Sequence, residues 1–152
     1  MAIIPSFDTH NPSFSANNKI MKKNFLSTFF ICGATGWVLE CFWTGLSSIF
    51  NKHDPKLVCR TSLWMFPIYG LAAFIKPISR RLENSRVLVR GGVYSCIIFL
   101  TEFITGELLN KIKACPWDYS KSRFNFDGVV RFDYLPVWFI VGLLYEKMLK
   151  KI

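Results

Sequence analysis

Two carboxylates carry most of the chemical content of this chain. Glu40 is the one Asp, Glu, Lys or Arg between Phe25 and Phe50, in FLSTFFICGATGWVLECFWTGLSSIF, and Glu102 stands with Glu107 inside the apolar stretch Gly91 to Leu109. A charge near the centre of a lipid bilayer costs about 2.5–3.5 kcal/mol on insertion scales, so such residues face protein or water. Two of them at one depth could share a proton, hold a cation or ligand, work as an acid/base pair, or act as neutral hydrogen-bonding acids between helices. A third candidate is the heptad ACPWDYS, Ala114 to Ser120, in which a Trp, an Asp and a Tyr follow a Cys-Pro break.

The elements that must position these groups are read from hydropathy. Phe25 to Phe50 is long enough to cross the roughly 30 Å hydrocarbon layer with some tilt. It is too long for a signal-peptide core, and no small-residue cleavage pattern follows it. Three further apolar segments predict helices, giving spans at about 25–50, 62–78, 91–109 and 134–149. Two-residue alternation is missing, which argues against strands. The expected fold is all-α: a four-helix transmembrane bundle over residues 24–152, preceded by a disordered polar tail over residues 1–23. The fourth helix carries Glu146 and Lys147 in its last turn, where long side chains can snorkel to the interface.

Depth then joins the candidates. At about 1.5 Å per residue, Glu40 and Glu102 both lie roughly 12–15 Å below the face away from the termini. The second helix runs back from that face and brings Tyr69 to the same layer. Cys32, Gly36, Glu40, Thr44 and Ser48 recur every fourth residue, making a small and polar ladder on the first helix. Ile98, Glu102, Gly106 and Asn110 stack in the same way on the third, with Thr105 beside them. Asn110 to Asp133, the connection to the fourth helix, is long for a structureless loop and rich in aromatics. An interfacial or re-entrant segment suits it, and it emerges two turns above Glu102. Within it, Asp118 either faces the polar layer or caps the turn after Pro116. The candidate ligand or ion site is thus Glu40, Tyr69, Glu102, Thr105, Trp117, Asp118 and Tyr119.

Charge sets the partners. Lys and Arg number eleven on the side of the termini and eight on the other, which places both termini in the cytoplasm. The net charge of +9 suits anionic headgroups; nucleic acid is not an expected partner, because no soluble basic module is present. The lipid bilayer is the expected environment, with a membrane-protein partner or a second copy as further possibilities. Of five cysteines, Cys59 and Cys115 fall on the side away from the termini and could pair if that side is oxidising. The sequence holds no phosphate loop, dinucleotide fingerprint, nucleophile elbow or H-E-x-x-H, and no metal or other cofactor is expected. Active transport would need a partner ATPase or an ion gradient.

At these residues the chain resembles a known group. ACPWDYS, preceded by Glu102-Phe103-x-Thr105-Gly106, is similar to animal transmembrane protein 229 and to the related bacterial family labelled "putative ABC-transporter type IV", or CmpB-like. Gly36-x-x-x-Glu40, Ile68-Tyr69-Gly70 and Phe126-x-Gly128 fit the same pattern, and the likeness covers roughly residues 25–145. Thr101 departs from it, standing where the animal pattern has a Trp before the Glu. The resemblance implies a small multi-pass membrane protein. Three readings stay open: a transport-associated protein with an intramembrane carboxylate site, a membrane-embedded lipid-modifying enzyme, and an accessory subunit in which the carboxylates join helices. The first is favoured over catalysis.

Overall fold

A computed structural model of the chain describes residues 12–52 and 55–152, with side chains over 24–50 and 55–152. Helix α1 spans Pro12–Lys52. Pro12 stands in its first turn, where a missing N–H costs no hydrogen bond, and no Gly or Pro interrupts the run from Ser13 to Cys32. The helix therefore starts well before the apolar stretch. Residues 12–23, expected in a disordered tail, belong to α1, and residues 1–11 lie outside the described residues.

The second expected helix is a rod in three parts: α2, Met65–Gly70; a 3-10 turn, Leu71–Phe74; and α3, Ile75–Arg81. The junction residues Gly70, Leu71, Phe74 and Ile75 all keep right-handed helical angles, so the rod is continuous. Pro77 accounts for the tightening. It has no N–H to return to the carbonyl of Ala73, and its ring presses on that carbonyl. Helix α4 spans Val87–Lys111 and α5 spans Leu135–Leu149.

Two helical segments are long and apolar enough to cross a membrane: Asn24–Phe50 of α1, with mean hydropathy 1.5, and Val87–Lys111, with mean hydropathy 1.7. Buried core helices of soluble proteins pass the same test, but they hide their apolar side chains. Here 22% and 17% of the two apolar windows are buried, and Phe42 and Leu88 are about three-quarters exposed. Surfaces of that kind need an apolar partner or lipid. The rod from Met65 to Arg81 and helix α5 are shorter, at roughly 25 Å and 22 Å by helical rise, than the hydrocarbon layer.

The tightest packing lies toward the C-terminal end of α5, where Cys32, Ala73, Ile75, Tyr94, Tyr145 and Leu149 form one buried cluster. Tyr145 donates its hydroxyl to the carbonyl of Cys32 at 3.1 Å, tying α5 to α1. Glu146, expected to snorkel outward, is instead buried and turned into the bundle. Arg90 at the start of α4 reaches it at 3.3 Å, and Lys150 at 2.7 Å. A carboxylate with a cation on the neighbouring helix has no need to extend toward water.

The connection from α4 to α5 is folded on itself. Helix α4 ends in a Schellman arrangement: Lys113 adopts φ 55° and Ala114 N–H bonds the Leu109 carbonyl at 2.9 Å. A two-stranded hairpin follows, β1 Asn125–Phe126 against β2 Val130–Arg131. Asp127 and Gly128 take φ of 50° and 69°, the pattern of a type I′ turn, and Val129 N–H closes it on the Phe126 carbonyl at 3.1 Å. Val129 and Val130 are buried, while Phe126 and Phe132 stack on Phe103 and Phe99 of α4. The hairpin thus lies along α4.

Candidate functional site

Between α1, the α2–α3 rod, α4, α5 and the hairpin loop is a cavity of about 570 Å³. Its floor follows from the small residues predicted at helical contacts. Gly36 lets Tyr69 cross directly over α1, since a Cβ there would overlap the Tyr69 ring and come within 2.7 Å of the Tyr145 hydroxyl. Gly106 does the same for the loop: a Cβ would stand 2.9 Å from Val129 and 3.3 Å from the Trp117 ring. The walls are mostly apolar, and the polar groups are concentrated on a few side chains.

Five of the seven sequence-derived candidates meet here, for Glu40, Tyr69, Glu102, Trp117 and Tyr119 all line the cavity. Glu102 is 9% exposed, and its Oε2 has no hydrogen-bond partner. The Tyr119 hydroxyl and the Trp138 indole face that carboxylate, yet Trp138 Nε1 is itself buried and unpartnered. The groups are close without closing a hydrogen bond of good geometry. Glu40 is half-buried and accepts from the Thr61 hydroxyl. Tyr69 lies within electrostatic reach of both carboxylates. No hydrogen bond joins Glu40 to Glu102 among the described residues; they are two walls of one space. Burial, and after it the charge of Glu102, pushes the Tyr119 phenol far above its ordinary value, so Tyr119 is a neutral donor there.

Two candidates lie elsewhere. Thr105 bonds back to the Thr101 carbonyl of its own helix at 2.7 Å and lines a separate, smaller pocket beside Phe29. Asp118 is exposed, and its Oδ1 accepts the Ser120 N–H at 2.9 Å. That bond holds its carboxyl below the usual aspartate range. It caps the turn, which was the structural alternative raised by the sequence. The heptad splits by side: Trp117 and Tyr119 turn inward and Asp118 outward.

The cysteines are a correction. All five are free thiols. Cys115 donates to the Trp117 carbonyl at 3.2 Å, while Cys59 lies against Cys41 of α1. The reason is the course of the first loop. Thr44 Oγ1 accepts Arg60 N–H at 3.0 Å and donates to the Arg60 carbonyl at 3.1 Å, and Trp37 bonds the Ser62 carbonyl at 2.9 Å. The loop is thereby laid along α1 with Cys59 on the Cys41 side, while its Arg60 and Thr61 line the same cavity as Trp117 and Tyr119 of the heptad.

Sequence inspection also missed cavity residues. Trp43, Tyr134, Trp138 and Tyr145 line it, together with Arg60 and Thr61. Trp43, Tyr134 and Trp138 form a chain of edge-to-face contacts with centroids 6.4 and 6.1 Å apart, and Tyr119 joins at 5.8 Å from Tyr134. An aromatic density of 16% was the available signal, but it could not say which rings converge.

With this geometry in view, the comparison with known families is direct. The profile of the family described as "Putative ABC-transporter type IV" matches residues 27–152. The chain belongs to that family. The match takes in α1 from its apolar part, the rod, α4, the hairpin loop and α5, so every cavity-lining residue lies inside the family's domain. Family membership and two outward-facing apolar helices long enough to cross a bilayer support a membrane protein. No solved structure matches the chain.

Proposed function

We propose that this member of the family is a multi-pass, transport-associated membrane protein, with the Glu40/Glu102 cavity as its ligand or ion site. In this reading all four rods are embedded, the two shorter ones with local bilayer thinning or interfacial anchoring. Both termini face the cytoplasm, following the excess of Lys and Arg on that side. The hairpin loop is the lid at the opposite face.

One observation carries the site: the buried Glu102 carboxylate borders a sizeable cavity, and its Oε2 closes no hydrogen bond of good geometry although Tyr119 and Trp138 face the group. Buried polar atoms in native proteins are nearly always satisfied, and an orphan calls for an ion, a water or a ligand. Glutamates that merely join helices would bond across the contact. Glu40 is tied to the Thr61 hydroxyl of the first loop; Glu102 Oε2 closes no such bond.

The test is Glu102→Gln in the purified full chain. Helical content and oligomeric state stay as in the parent, while stabilisation by monovalent cations, or proton uptake on acidification, is lost. Equal cation response in Glu102→Gln and parent would overturn the site. Glu102→Asp, which keeps the charge, serves as the folding and function control.

A further inference from the structure

Resting on that reading of the cavity, we infer that its ligand is an organic ammonium ion carried on an apolar body, with its tail left in the bilayer. The inference comes from three features that a site for a bare inorganic ion would not need.

The first is aromatic. Tyr119 and Trp138 stand beside Glu102, Tyr134 packs edge-to-face on both with the Arg131 guanidinium over its ring at 4.6 Å, and Trp43 packs on Tyr134. Ring faces attract alkylammonium groups through the quadrupole, and several rings about one carboxylate form a cage of the kind that holds quaternary ammonium. The donor set also disfavours a metal: among the described residues no three His, Cys, Asp or Glu side chains come together. A hard divalent cation takes six or more oxygens.

The second is size. About 570 Å³ far exceeds what a dehydrated monovalent ion fills and falls within the range for small organic ligands. Its walls, including Leu39, Met65, Ile97, Ile98 and Val141, are apolar.

The third is the way in. Leu39 and Trp43 of α1 and Leu144 of α5 line the cavity and are also 37%, 50% and 45% exposed. The cavity therefore has an apolar flank on α1 and α5 whose side chains also reach the surface, and in the four-span reading that surface meets hydrocarbon. A ligand that enters there keeps an apolar tail outside and brings a charged head to Glu102. Glu40, half-buried and held by Thr61, is the second carboxylate of the same cavity, which Arg60 also lines.

The experiment uses the full chain in phosphatidylglycerol nanodiscs, which hold no ammonium headgroup. The probe is octyltrimethylammonium, and binding is read from tryptophan fluorescence and thermal stabilisation. Saturable binding is expected, with no binding by 2,2-dimethyldecane, the uncharged carbon isostere. Glu102→Gln and Trp43→Leu should each weaken it by about tenfold or more, as loss of a charge-assisted or cation–π partner does. Trp43 is half exposed, so that variant keeps the fold even if Glu102→Gln does not. Octylphosphocholine separates the sources: tighter binding than the simple ammonium assigns a lipid headgroup, and weaker binding assigns a free organic cation. Equal binding of the carbon isostere would overturn the inference. If sodium or protons act through Glu102 but the ammonium does not bind, the inference falls and the ion site stands. If nothing acts through Glu102, both fall.

Discussion

Trp117 donates its indole N–H to the carbonyl of Val129, twelve residues on, at 2.9 Å. The bond crosses the heptad loop and fastens it to the hairpin, whose Val129 in turn presses against Gly106 of α4. Tyr119 is held toward Glu102 by the same arrangement, through its own N–H to the Gly128 carbonyl at 2.7 Å. The lid is therefore a folded unit, and its stability can be tested separately from the helices.

Trp117→Phe keeps an aromatic side chain of smaller size and removes the donor, leaving the Val129 carbonyl without its partner. A loss of about 1 kcal/mol is expected, concentrated in the loop. Hydrogen exchange over residues 115–131 should accelerate while α1 and α4 stay protected. Unchanged exchange in the loop would mean that the indole bond does not hold the lid.

Gly36 and Gly92 make a matched pair. A methyl at Gly36 collides with the Tyr69 ring, whereas one at Gly92 meets nothing within 4 Å. Gly36→Ala should destabilise by about 1–3 kcal/mol, as overpacking does. Gly92→Ala should be neutral or stabilising by up to about 1 kcal/mol, because alanine is the better helix former. Thermal denaturation in one detergent decides; equal midpoints for the two variants would contradict the packing.

The thiols give a distance test. Mild oxidation of the purified chain should crosslink Cys41 to Cys59, because the loop lies along α1 there. Peptide mapping after alkylation should find no Cys59–Cys115 bridge. A predominant Cys59–Cys115 product would mean that Cys59 reaches the heptad and that the clasp of Arg60 on Thr44 is transient.

Asp118 sets a pH dependence. The Ser120 N–H lowers its folded value below the ordinary one of about 3.9. A depressed carboxyl contributes stability that is fully present above the unfolded value and is lost as pH falls through the folded value. Protease resistance of the loop should thus be level from neutral pH to about 4 and decline below it. Asp133, held low by Arg131, titrates in the same window, so the comparison is between the parent and Asp118→Asn. That variant keeps an acceptor oxygen and should flatten Asp118's share of the decline. An identical acid profile would remove Asp118 from the account.

Much of the site was legible because intramembrane charge is costly and helical rise is fixed. Glu40, Tyr69 and Glu102 could be set at one depth by counting residues. The hairpin was not read, because the missing two-residue alternation argued against strands; its two-residue strands are too short to show that period, and the Asp127-Gly128 pair with positive φ was the signal passed over. The start of α1 was less legible, because polar residues without Gly or Pro are compatible with either tail or helix. Trp43, Tyr134 and Trp138 were not legible as a group: their convergence depends on how α1, the lid and α5 are set against one another.

Local chemistry along the chain was enough for the apolar helices, the two carboxylates and the family's heptad, because hydropathy, helical period and turn preference are properties of neighbouring residues. Packing of distant segments settled the rest. It turned Asp118 outward into a cap and Trp117 and Tyr119 inward. It also paired Glu146 with Arg90 and drew Cys59 to Cys41. Glu102 was left beside Trp138 with an oxygen unsatisfied. Which partner a polar atom finds depends on what the other helices bring within about 3 Å, and that distance is set across the fold.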